Sequence, residues 1–270
     1  MFRKRKEVRE AELALESMRH RFGENSPEVV VAMINAAVQY QNAGDHRAAL
    51  HLRSNVVEVQ RRIYGDDSVE VINARDRLAL AHFTAGDFAS AYVIQREIVD
   101  SLVAVCDQND SNVLRAKKVL ARSYYEAKQF ELACGMMSDV VTGYRASLGR
   151  TAPETLENSL YLGDILRQTG RFRAALAVDQ EVVTAGKKAE ADQRLMLTAW
   201  RSVFEDFLRM DSVAGVVGAL EEMVAIGKSE GIRVATDATI ADLVRMRDRI
   251  VAEVGEDRYL KVLGMVRSAG

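Results

Sequence analysis

Apolar residues return along this chain at spacings of three and four. Val8, Ala11, Leu15, Met18 and Phe22 fall on one such stripe, the period of a helix with one buried face. No stretch alternates apolar and polar at a spacing of two, so the pattern predicts an all-α chain. A slower rhythm lies over it. The segments "NAGDHRAA" (42–49), "TAGDFASA" (84–91), "EAKQFELA" (126–133) and "QTGRFRAA" (168–175) stand 42 residues apart. In register they place Gly44, Gly86, Lys128 and Gly170, then His46, Phe88, Phe130 and Phe172, then Ala49, Ala91, Ala133 and Ala175. Seven residues on come Val56, Ile98, Val140 and Val182, each followed by valine. A second punctuation runs Gly23, Gly65, Asp107 and Gly149, and Pro27 and Pro153 stand three periods apart.

The glycines fall where one helix must stop and turn, which positive φ allows. Lys128 is the departure, expected to carry a small strain or a different turn. Proline fits the first position of a helix, where its missing N–H is no loss, and Ser26 can cap the one that Pro27 opens. Each period therefore predicts two antiparallel amphipathic helices. One such hairpin cannot bury its own apolar faces, so successive hairpins must stack into a solenoid.

The run "LALAHFTAGDFASA" (78–91) resembles a tetratricopeptide (TPR) repeat. Leu78-Ala79, His82, Gly86, Phe88 and Ala91 match, His82 being the weak member. Leu120-Ala121, Tyr124, Phe130 and Ala133 match with Lys128 in place of glycine. Leu162-Gly163, Leu166, Gly170, Phe172 and Ala175 lack only the first aromatic, and Ala36-Ala37, Tyr40, Gly44, His46 and Ala49 form a looser copy. The usual unit is about 34 residues; the longer step here is similar to the repeats of kinesin light chains. The resemblance implies a right-handed superhelical solenoid of stacked antiparallel hairpins.

On this reading residues 1–22 are a half-repeat or capping helix, and 23–190 hold four repeats. Residues 191–270 hold an eroded fifth pair (194–210 and 212–228) and two closing helices (238–255 and 257–270). Val217 stands one period after Ala175. A start in mid-repeat fits either a cap or a piece of a larger solenoid.

Composition narrows the function. The chain is 48% hydrophobic and 28% charged, with two prolines in 270 residues, which suits helices throughout. A formal net charge of −2 argues against a nucleic-acid partner, which wants a basic footprint. No apolar run reaches the roughly 20 residues of a membrane span, and the basic start "MFRKRKEVRE" is no secretory signal. Two cysteines, Cys106 and Cys134, make neither a disulfide framework nor a zinc set, so a cytoplasmic location is expected. Cys134 falls in a core slot and Cys106 at an inter-repeat turn.

Site chemistry is missing from the pattern. "IGKSEG" (226–231) echoes a phosphate loop but has Glu222 at the required first glycine and follows a helix, so a plain helix exit is expected. His46 and His51 are off the spacing that sets two ligands side by side. No catalytic residue, metal site or cofactor is predicted, and the chain is not read as an enzyme.

The resemblance implies that the first helix of each hairpin lines a concave groove. It carries into that groove Val31, Ile34, Val38, Gln41 and Asn42; Asn73, Asp76, Leu80, Phe83 and Thr84; Arg115, Lys118, Arg122, Tyr125 and Glu126; and Glu157, Leu160, Asp164, Arg167 and Gln168. Of these, Asn73, Asp76, Phe83, Arg115, Lys118, Arg122, Tyr125, Asp164 and Arg167 are the candidate partner-binding residues. Spacings of three and four put Arg115, Lys118 and Arg122 on one helix face, and Arg167 can join them. Such a cluster can hold an acidic peptide or a free C-terminal carboxylate. Alternatively it is a solvated face, or pairs in cis with Asp76, Glu126, Glu157 and Asp164. The expected function is a non-catalytic scaffold or adaptor for a protein or peptide. The alternatives are a sensory module responsive to a peptide or small ligand, and a homodimer built through the C-terminal helices around Trp200, Phe204 and Phe207.

Overall fold

The computed structural model describes residues 2–231 and 243–268, which are helical with no strand among them. Two compact units divide at Gln129 and Phe130. The first holds α1 (Phe2–Phe22), α2 (Pro27–Ala43), α3 (His46–Tyr64), α4 (Val69–Thr84), α5 (Phe88–Val105) and α6 (Ser111–Glu126). The second holds α7 (Phe130–Leu148), α8 (Pro153–Gln168), α9 (Phe172–Lys188), α10 (Gln193–Arg209), α11 (Val213–Glu230), α12 (Arg247–Val254) and α13 (Glu256–Ser268). Inside each unit every helix from α1 to α6, and from α7 to α11, packs on its sequence neighbours. Both α12 and α13 pack on α11. The first five residues of the expected closing helix 238–255 lie outside the described residues.

The register explains the packing. Ala37, Ala79 and Ala121 have no exposed surface, and neither do Ala91, Ala133 and Ala175. A methyl at these six places lets two helix backbones approach closely, and any larger side chain would push them apart. The valine pairs, Val56-Val57 through Val182-Val183, are buried as well. Leu15 of α1 joins the core of the first unit with Val29, Met33 and Val56, while Ala11 and Met18 pack against it. Phe22, at the end of the predicted stripe, stays 41% exposed.

The helix starts follow from capping chemistry. Ser26 and Ser68 each accept a hydrogen bond at 3.3 Å, from the amides of Val29 and Val71. Asp45 and Asp87 do the same for Ala48 and Ser90, at 3.0 and 3.1 Å. Each such cap contributes about 1 kcal/mol. His82, the weak member of its repeat, has its Nδ1 2.9 Å from the same Asp87, which ties the end of α4 to the cap of α5.

Where glycine is missing from the turn register, the turn itself is kept. Lys128 adopts φ +59°, as Gly44, Gly86 and Gly170 do with φ +87°, +80° and +73°. A side chain in the left-handed region costs about 1–2 kcal/mol. Lys128→Gly is therefore expected to stabilise the chain by about 1 kcal/mol, read as a higher urea midpoint with unchanged slope. At Asp107 no positive φ occurs; Cys106 ends α5 in extended backbone and Asp110 caps α6 through the amide of Asn112.

The period shortens once. The next left-handed turns come at Glu190 (φ +49°) and Asp211 (φ +60°), each 41 residues after its predecessor. Consequently Val216, and not Val217, takes the register place of Ala175, although both are buried. Residues 226–230 continue α11, and Gly231 closes it in a left-handed cap, the plain helix exit expected of "IGKSEG".

Candidate functional site

In the first unit α4 and α6 turn polar faces toward a shared hollow. A cavity of about 290 Å³ is lined by Asn73 and Asp76 of α4, Arg115, Asn112 and Val119 of α6, and Ile98 and Leu102 of α5. Asn73, Asp76 and Arg115 are exposed, and Lys118 is half-buried. The Arg122 guanidinium lies 4.5 Å from the centre of the Phe83 ring, which meets Phe88 edge to face at 5.1 Å. Arg122 thus ties α6 to α4 without a counter-charge. Tyr125 is half-buried in the last turn of α6.

None of Arg115, Lys118 and Arg122 forms an ion pair within 4 Å among the described residues. For these three the cis pairing considered from sequence is not made: Arg115 is exposed, Lys118 is half-buried and Arg122 lies over the Phe83 ring. An amide beside them, Asn73, can both donate to and accept from a peptide backbone.

Farther up the same unit three apolar residues of α2 and α4 are exposed. Val31 and Val38 are 57% and 39% exposed and Leu80 is 52% exposed, so α1 does not cover them.

The fourth-repeat residues have a different setting. Arg167 of α8 has its side chain 8% exposed. Its Nη1 donates to Asp179 of α9 at 2.6 Å and to Asp206 of α10 at 3.2 Å. Its Nη2 bonds Asp164 and, at 3.4 Å, the Ser202 hydroxyl. Arg167 is therefore a structural cation inside the second unit. Asp164, though exposed, is already paired with it. Leu160, another expected groove residue, is buried in the core.

The buried partners Asp179 and Asp206 have no exposed surface. Burial pushes the carboxyl of Asp179 up to about 8, against the pull of Arg167, and raises that of Asp206 too. Sequence reasoning passed over both. A usable signal existed: an aspartate in the buried stripe of α9, twelve residues after an arginine. The same aspartate explains Gly163, since a Cβ there would stand 2.5 Å from Asp179 Oδ1.

Near the C-terminal helices, Phe204 is buried in the core with Trp200 and Phe207 packed against it, and Lys187 lies 5.0 Å over the Trp200 ring. The apolar surface expected there is thus largely spent inside the unit. No helix among the described residues is long and apolar enough to cross a membrane, and none of their His, Cys, Asp and Glu side chains gather into a metal-holding group.

Residues 28–99 match the family model of the tetratricopeptide repeat, over the stretch where α2 to α5 show the caps, turns and buried alanines described above. Residues 28–99 carry the tetratricopeptide pattern. Solved structures share the fold across most of the chain. It is similar to the TPR-like repeats of a putative kinesin light chain from Podosopora anserina, with a TM-score of 0.65 at 19% identity, covering 75% of this chain and 96% of that one. It is similar to BtubC (BKLC) from P. vanneervenii, with a TM-score of 0.62 at 13% identity over 84% and 92% of the two chains. It also resembles aspartyl phosphate phosphatase F from Bacillus subtilis, with a TM-score of 0.60 at 8% identity over 94% and 70%. At these identities the likeness is one of fold. Among curated proteins none matches the sequence. A TPR fold of stacked hairpins is typical of protein-interaction scaffolds, and the chain has that fold.

Proposed function

We propose that this chain is a non-catalytic scaffold or adaptor that holds an extended, acidic peptide segment of a partner protein along α4 and α6. The observation that carries the reading is the row of Arg115, Lys118 and Arg122, free of ion pairs among the described residues, beside the hollow lined by Asn73 and Asp76. Solvated cations at helical spacing attract carboxylates, and a neighbouring amide fixes the peptide backbone. Both cysteines are free thiols, which supports placing the protein in a reducing compartment, the cytoplasm.

The test is fluorescence anisotropy with a labelled hexaglutamate peptide and a hexaglutamine control, at two salt concentrations. Arg115→Glu, Lys118→Glu and Arg122→Glu together are expected to weaken hexaglutamate binding by roughly a hundredfold, since each contact is charge-assisted, and added salt to weaken the natural chain. Equal affinity for both peptides, or an unchanged triple variant, would remove the proposal. The substitutions lie at exposed or half-buried positions, so helix content should not change.

A further inference from the structure

The hollow between α4 and α6 carries one charge that the basic row does not explain. Asp76 is exposed on its wall and forms no ion pair within 4 Å among the described residues. The cation next to it in sequence, Arg75, already meets Asp66 at 3.1 Å and Glu97 at 3.8 Å. In a site for uniformly acidic chains this carboxylate works against binding, because like charges brought together across an interface repel.

The lining of the hollow points to what Asp76 faces. Ile98 is buried, and Ile72 and Leu102 are half-buried, so the floor is apolar. Asn73, Asp76 and Arg115 are exposed and make the rim. A side chain with a long methylene stem and a cationic end matches that arrangement, since the stem covers apolar surface while the charge stays at the edge. A glutamate seated there would meet Asp76 with like charge. A leucine would cover the floor and leave the carboxylate unmet.

The repeat supplies an internal control. A hollow of about 420 Å³ between α8 and α10 is the counterpart in the second unit. Leu156 and Glu157 stand there in the slots of Ile72 and Asn73, and Thr198, after the period shortens, in the slot of Arg115. The slot of Asp76 holds Leu160, which is buried in the core. The opposed charges of Asp76 and Arg115 are therefore a property of the first hollow and not of the repeat backbone.

We infer that the hollow between α4 and α6 takes a lysine or arginine side chain of the bound segment, with its stem on the Ile98 floor and its charge at Asp76. The inference rests on the groove reading above and deepens it. The partner is an acidic segment interrupted by a basic residue, and not a uniform acidic run. Asp76 sets that register in two ways: it attracts the basic residue, and it repels an acidic one that slides into its place. The volume of about 290 Å³ lies just below the range of about 300–1,000 Å³ of small-molecule sites, which suits one long side chain.

The test is fluorescence anisotropy of the full chain with two labelled peptides, EEEKEEE and the same peptide with norleucine in place of lysine. Norleucine keeps the methylene stem, drops the cation and leaves the peptide more negative. Attraction to the α6 row by itself therefore favours the norleucine peptide. The subsite favours lysine, by about fivefold, the upper end for a solvent-exposed ion pair. Asp76→Asn, a substitution of equal size at an exposed position, should weaken the lysine peptide and tighten the norleucine peptide. A disturbed fold would weaken both. Equal or weaker binding of the lysine peptide to the natural chain, or a lysine preference that survives in Asp76→Asn, overturns the inference. The triple reversal on α6 separates the two ideas. If it weakens both peptides while the natural chain shows no lysine preference, the subsite fails and the groove stands. If it leaves the norleucine peptide and hexaglutamate unchanged, the groove reading fails, whatever Asp76→Asn shows.

Discussion

Replacing Arg167 with methionine is expected to destabilise the second unit by about 3–5 kcal/mol at pH 8, the cost of leaving buried charges without their partner. Arg167 joins α8 to α9 and α10 through Asp179 and Asp206, both without exposed surface. Methionine keeps the packing of the aliphatic stem of arginine, so the loss reports mainly on the missing guanidinium. The penalty should shrink at pH 5, where both carboxyls can take up protons, whereas a packing defect would cost the same at either pH. The reporter is built in. Trp200 is the single tryptophan of the chain and sits on α10 with Asp206, so its fluorescence in urea follows this unit. Replacing Arg167, Asp179 and Asp206 together by Met, Leu and Leu should restore most of the stability, as apolar isosteres of buried ion pairs commonly do. A single-variant loss below about 1 kcal/mol at pH 8 would show the cluster to be solvated and the argument wrong.

The period of 42 residues, the helix boundaries near each turn and the buried alanines were all legible, because they repeat and repetition averages out local accidents. Legibility ended where one residue was dropped. After α9 the turns fall at Glu190 and Asp211, both left-handed without glycine. The spacing and the residue type changed together there, so neither could flag the other. In the site, the row on α6 was visible because it lies on one helix at spacings of three and four. The Arg167 cluster was not, because its members are brought together only when antiparallel helices close. Partners separated by 12 or 39 residues share no local signature. Arg167 was placed in the groove by register alone. The structure turns its guanidinium inward because Asp179 occupies a slot that holds Arg53, Gln95 and Met137 in the other repeats. A repeat pattern thus predicts the backbone position of a charged residue better than it predicts where the charge ends.

The same cluster should set how the second unit responds to pH. Burial pushes the Asp179 carboxyl up to about 8 and raises Asp206, while an unfolded aspartate titrates near 3.9. Between those limits the folded unit holds more protons than the unfolded one, so its stability falls as pH rises from about 4 to about 8. For one proton the slope reaches about 1.4 kcal/mol per pH unit. Below that window both states are protonated at this group, and above it both are ionised, so its contribution is flat on either side. Asp211 and Glu221, held low by hydrogen bonds from Arg249 and Arg258, act in the opposite sense, and only below the ordinary carboxylate range. Asp164, paired to Arg167 at the surface, and Glu205, whose charge faces Asp206 from the same helix, complete the acidic surroundings. Asp206→Asn keeps an acceptor for Arg167 and removes one of the two buried carboxyls that compete for it. Asp179 can then ionise against Arg167 alone, so its carboxyl should fall while burial still holds it above the ordinary value, and the slope between pH 5 and pH 8 should become shallower. The variant should therefore be less stable than the natural chain at pH 5 and equal or better at pH 8, a crossing that a simple loss of packing cannot produce. Urea midpoints read from Trp200 at four pH values decide the matter, and parallel curves for the two proteins would mean that Asp179 and Asp206 share no proton.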